Sequence, residues 1–315
     1  MGAAAPAPAP PVAPRRLLFQ RDAAGWNNVR ICFESYVCVA RLTQRQLVLP
    51  PPTVIDHLGE HRFHELQVYD AAALGSVVHF ASGAAAPAAA FAGSLQDVLR
   101  ADARGALPLD VVLGAHTRLL HFECLELSRA DARVAAEAVL ALALAEPYHE
   151  AARALTWRAA LAEPYHAVHL RRGDFASFRP DTQWSGSDLQ GRVRHAFPAA
   201  EASWPLLVAC VADERDPFPE LAAGLPERRV LRADELHIST ASALHRVVVD
   251  TLLLSGAARF AGTPDSTYSN GVWHWRARER VLRGERPESP RGLAGPLAAP
   301  QCWQRCSTFA ALLDQ

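Results

Sequence analysis

Short apolar runs of two different periods alternate along the chain. Leu17 to Gln20 and Gln46-Leu47-Val48-Leu49 read as strands, the second stopped by three prolines. Between them, Gly25-Trp26-Asn27-Asn28 is turn chemistry that opens a helix from about Val29 to Leu42. Only Arg30, Glu34 and Arg41 interrupt its apolar surface, which predicts burial nearly all round. Residues 81–109 are low-complexity Ala/Gly/Pro sequence, and residues 130–163 read as two helices. Ala-Glu-Pro-Tyr-His occurs at 145–149 and again at 162–166, a five-residue match that fits no solenoid class. In the second half, His166 to Leu170 and Leu206 to Val211 read as strands, about Ala241 to Ala257 as a helix, and Arg259 to Ala261 as a short strand. Residues 284–300 read as a Pro/Gly-rich linker before a C-terminal helix. Strands alternating with helices predict parallel sheet in an α/β fold, whose ligands gather beyond the carboxyl ends of the strands.

Composition narrows the chemistry. The 315 residues allow two ordinary domains or one large one. Thirty-two basic against 33 acidic residues leave a net charge of −1, so no global field draws the chain to nucleic acid or an anionic membrane. No apolar run approaches the roughly 18–20 residues that span a bilayer. There is no lysine, which excludes Schiff-base chemistry and a P-loop lysine. Cys302 and Cys306 have the closeness of a zinc pair, but no matching second Cys/His pair lies nearby. Residues 1–16 form a flexible Ala/Pro leader without the charged start and apolar stretch of a signal peptide.

Three segments carry candidate chemistry. His169-Leu170-Arg171-Arg172-Gly173-Asp174 leaves a strand with two arginines and a glycine, a set matched to phosphate oxygens. Its bland alternative is an Arg172–Asp174 loop pair beside a core histidine. Gly262-Thr263-Pro264-Asp265-Ser266-Thr267-Tyr268-Ser269 is a hydroxyl-rich strand exit that opens a helix, either an ordinary N-cap or a phosphate site. Asp250 sits in the apolar run Val247 to Leu254, where a carboxylate needs donors. A guanine edge would supply two; a backbone group or Arg246 is the structural alternative.

Taken in order, Gly25-Trp26-Asn27-Asn28-Val29-Arg30 with Glu34, the His169 to Asp174 block, and Asp250 followed by Phe260 to Ser269 resemble the GDP-fucose protein O-fucosyltransferase superfamily. The resemblance implies a GT-B architecture, two Rossmann-like halves facing a cleft. Residues 17–160 would form the acceptor-side half and 161–315 the half that holds the GDP-sugar. It implies that Arg171 stabilises the β-phosphate as GDP leaves, that His169 contacts the donor and that Asp250 reads guanine. Asp265, Ser266, Thr267 and Tyr268 would wrap the phosphates and nucleoside, and Asn28 would reach the donor from across the cleft. It implies no metal, and the sequence has no Asp-X-Asp motif.

One position departs from the pattern. Some members carry a glutamate before the glycine of the first block as general base, and here that position is Ala24. Asp22 and Glu34 are substitutes, although Arg30 one turn away is a natural partner for Glu34. Three readings follow: transfer of fucose to a protein Ser/Thr hydroxyl, transfer to a glycan or from another GDP-sugar, and an inactive GDP-sugar-binding relative. Relatives work mostly in the secretory lumen, whereas the leader carries no signal for that route.

Overall fold

The computed structural model describes residues 13–21, 25–55, 62–83, 93–113, 126–161, 164–172, 177, 180–210, 216–237, 241–264, 266–286, 291–293 and 295–296. The first part of the chain runs β1 (Arg16–Phe19), α1 (Trp26–Leu42), β2 (Gln46–Leu49), the two-residue strands β3 (Thr53–Val54) and β4 (Arg62–Phe63), α2 (Ala71–Val77), β5 (Phe80–Ser82), α3 (Leu95–Ala103) and β6 (Asp110–Leu113). Helices α4 (Arg129–Ala141) and α5 (Glu146–Arg158) lead to β7 (His166–Leu170) and α6 (Gly186–Ala196). There follow β8 (Leu206–Cys210), α7 (Phe218–Ala223), β9 (Val230–Arg232), α8 (Ala233–Leu236), α9 (Ala243–Gly256), β10 (Arg259–Gly262), α10 (Thr267–Leu282), β11 (Arg291–Gly292) and β12 (Gly295–Pro296).

The expected parallel sheets form. One has the order β5-β2-β1-β6 and is parallel throughout. The other has the order β12-β11-β10-β7-β8-β9 and is parallel except at β11–β12. In the first, the chain moves outward from β1 through β2 to β5, then returns on the other side of β1 as β6. In the second it moves outward from β7 through β8 to β9 and returns on the other side of β7 as β10. Each sheet therefore has a switch point, at the carboxyl ends of β1 and of β7, the places where open α/β sheets bind ligands.

Two expectations change. The Ala/Gly/Pro stretch contains the end of β5 and all of α3, because alanine favours helix and Ser94 supplies a capping box. Asp97 N donates to Ser94 Oγ at 3.1 Å and Ser94 N to Asp97 Oδ2 at 3.0 Å. The expected linker at 284–300 includes β11 and β12, which extend the second sheet beyond β10. The leader to residue 12, the expected C-terminal helix and the Cys302/Cys306 pair lie outside the described residues.

Helix α1 is buried as its sequence predicts: Val37, Val39 and Ala40 are fully covered, and so, nearly, are Arg30 (1%) and Glu34 (4%). The Arg30 guanidinium donates from Nη2 to Gly271 O of α10 at 3.2 Å and lies 3.5 Å from Glu34. Helices α1 and α10 are thereby tied together. The approach depends on Gly271, where a Cβ would stand 2.2 Å from Asn27 Oδ1 and 2.7 Å from Arg30 Nη2. Gly271→Ala should cost about 1–3 kcal/mol, read as a lower urea midpoint at unchanged m value. Gly191→Ala, where an added Cβ meets nothing within 4 Å on α6, should not lower it.

Candidate active site

The chain leaves β7 through Arg171 and Arg172 and leaves β10 at Gly262. Thr263 joins the two exits: its N and Oγ1 donate to His169 O at 3.0 and 3.1 Å, and Arg171 N donates to Thr263 Oγ1 at 2.9 Å. Ser266 then caps α10. A Cβ at Gly262 would lie 2.5 Å from Ser269 Cβ, so the strand meets the first turn of α10 this closely because no side chain intervenes.

His169 bridges this joint. Its Nδ1 is 2.8 Å from Ser269 Oγ and its ring centroid is 4.6 Å from that of Tyr268. Burial, with Arg171 adding to it, pushes the imidazole down to about 3, so the ring is neutral at physiological pH. The Tyr268 hydroxyl donates to Val247 O at 3.3 Å and receives Thr251 Oγ1 at 3.3 Å. Burial foremost, and then the nearby Asp250 charge, push this phenol up. Thr267 is half-buried at the first position of α10, a turn in which Ser269 N donates to Ser266 Oγ at 3.5 Å.

Asp250 is on α9, next to Thr251. Among the described residues its hydrogen-bond partner is His237, whose Nε2 lies 2.7 Å from Oδ1, and the Arg246 charge also acts on it. Burial raises this carboxyl group, and the His237 bond opposes that rise. Arg172 is buried and donates from Nη1 to Trp184 O at 3.1 Å, so the second arginine anchors its loop while Arg171 stays partly open.

The first turn of α1 follows the other switch point. Asn28 is half-buried, and its Oδ1 has no hydrogen-bond partner among the described residues. Asn27, 4% exposed, has neither amide atom bonded there. Leaving such groups unpaired costs about 1–3 kcal/mol each, which a polar ligand would offset. Asp265, Asp22, Ala24, Gly173 and Asp174 lie outside the described residues. Glu34, 4% exposed, is enclosed between Arg30 at 3.5 Å and His274 Nδ1 at 3.5 Å, so the helical-turn pairing holds. Among the described residues no three His, Cys, Asp or Glu side chains group as metal ligands.

The joint thus brings together His169, Arg171, Ser266, Thr267 and Tyr268, with Asp250 behind Tyr268. Thr263, Ser269, His237 and Asn27 were not singled out from sequence. Ser269 was legible as the third residue after a serine cap. A separate cavity of about 660 Å³ opens near Trp157, Tyr165 and Gly256, at the amino end of β7, away from this joint.

No protein-family model and no curated protein sequence matches the chain. Solved structures do. POFUT1 in complex with GDP-fucose superposes with a TM-score of 0.61 at 13% identity, covering 90% of this chain and 99% of that one. The α-1,6-fucosyltransferase NodZ soaked with GDP-fucose gives 0.52 at 14% identity, covering 82% and 92%. Selenomethionyl NodZ from Bradyrhizobium gives 0.50 at 14% identity, again covering 82% and 92%. The chain has the fold of these fucosyltransferases. The resemblance carried by the three sequence blocks therefore holds at the level of the whole fold, over nearly the full length of POFUT1.

The histidine at the joint has a consequence for acid stability. Its folded value of about 3 lies below the roughly 6.5 of an unfolded histidine, so between them the unfolded chain binds the extra proton. Stability contributed by neutral His169 is complete above about pH 6.5 and is lost as pH falls toward 3. Urea midpoints measured from pH 7 to 4 should fall less steeply for His169→Gln than for the unmodified protein; equal slopes would contradict the buried neutral ring.

Proposed function

We propose that this protein is an inverting, metal-independent glycosyltransferase that moves L-fucose from GDP-β-L-fucose to a Ser or Thr hydroxyl of a protein. The observation that carries this reading is the joint itself. His169 and Ser269, 100 residues apart, meet at 2.8 Å at the switch point of the second sheet, in a fold shared with enzymes solved with GDP-fucose.

On this reading residues 161–315 hold the donor and residues 17–160 face the acceptor across a cleft. Arg171 neutralises charge on the β-phosphate, and the first turn of α10 receives the diphosphate at Ser266, Thr267 and Tyr268, with Asp265 beside them. Asp250 accepts from guanine. Asn28, with Asn27, reaches the donor from α1. The bond between the anomeric carbon and the β-phosphate oxygen breaks, and its electron pair leaves with GDP. The acceptor oxygen bonds to the opposite face of that carbon and loses its proton. Charge builds on the departing diphosphate and on the anomeric carbon, so a fixed guanidinium at the leaving group is worth more than a strong base at the acceptor. That ordering suits a site where Ala24 replaces the glutamate and Glu34 is enclosed, with Asp22 left as the candidate to take the proton. The secretory lumen is the compartment this activity implies.

A glycan acceptor is the second reading, favoured by the likeness to an α-1,6-fucosyltransferase. Both readings share the donor half-reaction and are separated by presenting folded protein domains and oligosaccharides in parallel. GDP release from GDP-fucose and GDP-mannose, followed in EDTA, tests the donor. Turnover of GDP-fucose is expected, and Arg171→Ala should lower it by about 10²–10³-fold without changing the unfolding midpoint. No turnover, or equal turnover by the variant, would contradict the assignment.

A further inference from the structure

Asp250 and His237 form a pair with a direction. The histidine side chain is 3% exposed and the carboxylate 20%, so the imidazole is the more enclosed member of a buried pair. His237 Nε2 engages Oδ1 at 2.7 Å. The neighbouring Thr251 hydroxyl lies 3.3 Å from the Tyr268 hydroxyl, and the Tyr268 ring lies 4.6 Å from His169. Asp250 is therefore one layer of side chains from the joint. A carboxylate that reads guanine must offer oxygens in a fixed plane to N1–H and to the exocyclic amine. Asp250 sits on a helix among the buried apolar side chains Val248, Val249 and Leu253, with the Arg246 charge one turn earlier, and its hydrogen bond among the described residues is to His237.

We infer that His237 is a positioning residue for base recognition: by holding Oδ1 it sets the plane of the Asp250 carboxylate and leaves Oδ2 turned to the guanine edge. The inference rests on the donor reading above and extends it to a residue that touches no nucleotide. A merely structural ion pair between α9 and the end of α8 would support the fold equally for every nucleotide. A positioning role makes the choice of base depend on His237.

The test is calorimetric titration of GDP, IDP and ADP into the full chain. IDP lacks the exocyclic amine and ADP lacks both guanine donors. The unmodified protein should prefer GDP over IDP, and Asp250→Asn should abolish the preference. His237→Leu should reduce it by about tenfold, the worth of a charge-assisted hydrogen bond, while ADP binding is unchanged. His237→Gln, whose amide can still donate to Oδ1, should retain most of it, and serves as the comparison with the unmodified protein if His237→Leu does not fold. In the Asp250→Asn background, substitution of His237 should change nothing further. A GDP-over-IDP preference unaltered by His237→Leu, a loss of all three nucleotides alike, a loss of preference in His237→Gln with Asp250 intact, or a further loss in the Asp250→Asn background would overturn the inference and leave the donor assignment standing. Failure of the unmodified protein to bind GDP would overturn both.

Discussion

A histidine withdrawn from water has to stay neutral and still find a partner for its ring, and at His169 both demands fix the geometry around it. The imidazole is held by Ser269 on one side and Tyr268 on the other, both from the first turn of α10, while its own carbonyl receives two hydrogen bonds from Thr263. Arg171, two residues on, inherits its position through the bond from its N–H to the same threonine. The exit of β7, the exit of β10 and the start of α10 are thus one rigid unit, which a leaving-group site requires if it is to be organised before charge develops. Gly262 makes the unit possible by letting the β10 backbone approach Ser269.

The second constraint is the polar seam between α1 and α10. Arg30, Glu34, His274 and Arg278 are all at most 6% exposed. Burial pushes the Glu34 carboxyl up, against the pull of Arg30 and Arg278, and pushes His274 well down. A seam of this kind is a poor source of stability, because removing ions from water costs several kcal/mol each before any pairing is counted. Its effect is positional. It sets Asn27, in the first turn of α1, against Gly271 of α10. It also encloses the Glu34 carboxylate between Arg30 and His274.

The alternation of strands and helices, the burial of α1 and both strand exits were legible in the sequence because each is a local pattern: apolar runs of fixed period, glycine at a turn, a serine before a helix. What escaped is non-local or compositional. The Ala-rich segment hid α3 because alanine is common both in helices and in biased linkers, and the capping box Ser94/Asp97 was the missed signal. The short strands β11 and β12 gain their identity only by lying against β10. Asp250 was recognised as a carboxylate that needs a donor, but the donor is His237, which lies 13 residues earlier, just after α8, and is invisible to spacing. Asn27 and Asn28 are adjacent, and only the close approach of α10 at Gly271 distinguishes the enclosed one from the half-open one.

Fold alone does not make a transferase, and the shared architecture carries only 13% identity with POFUT1 and 14% with NodZ. The central claim is that the two strand exits of the second sheet form a guanine nucleotide diphosphate site in which Arg171 meets the phosphate. Calorimetric titration of the full chain with GDP, GMP and UDP in EDTA, repeated on Arg171→Ala, tests it most directly. The account predicts that GDP binds, that GMP and UDP bind far more weakly, and that the substitution weakens GDP toward GMP. No binding of GDP, or binding that is indifferent to Arg171, would contradict it.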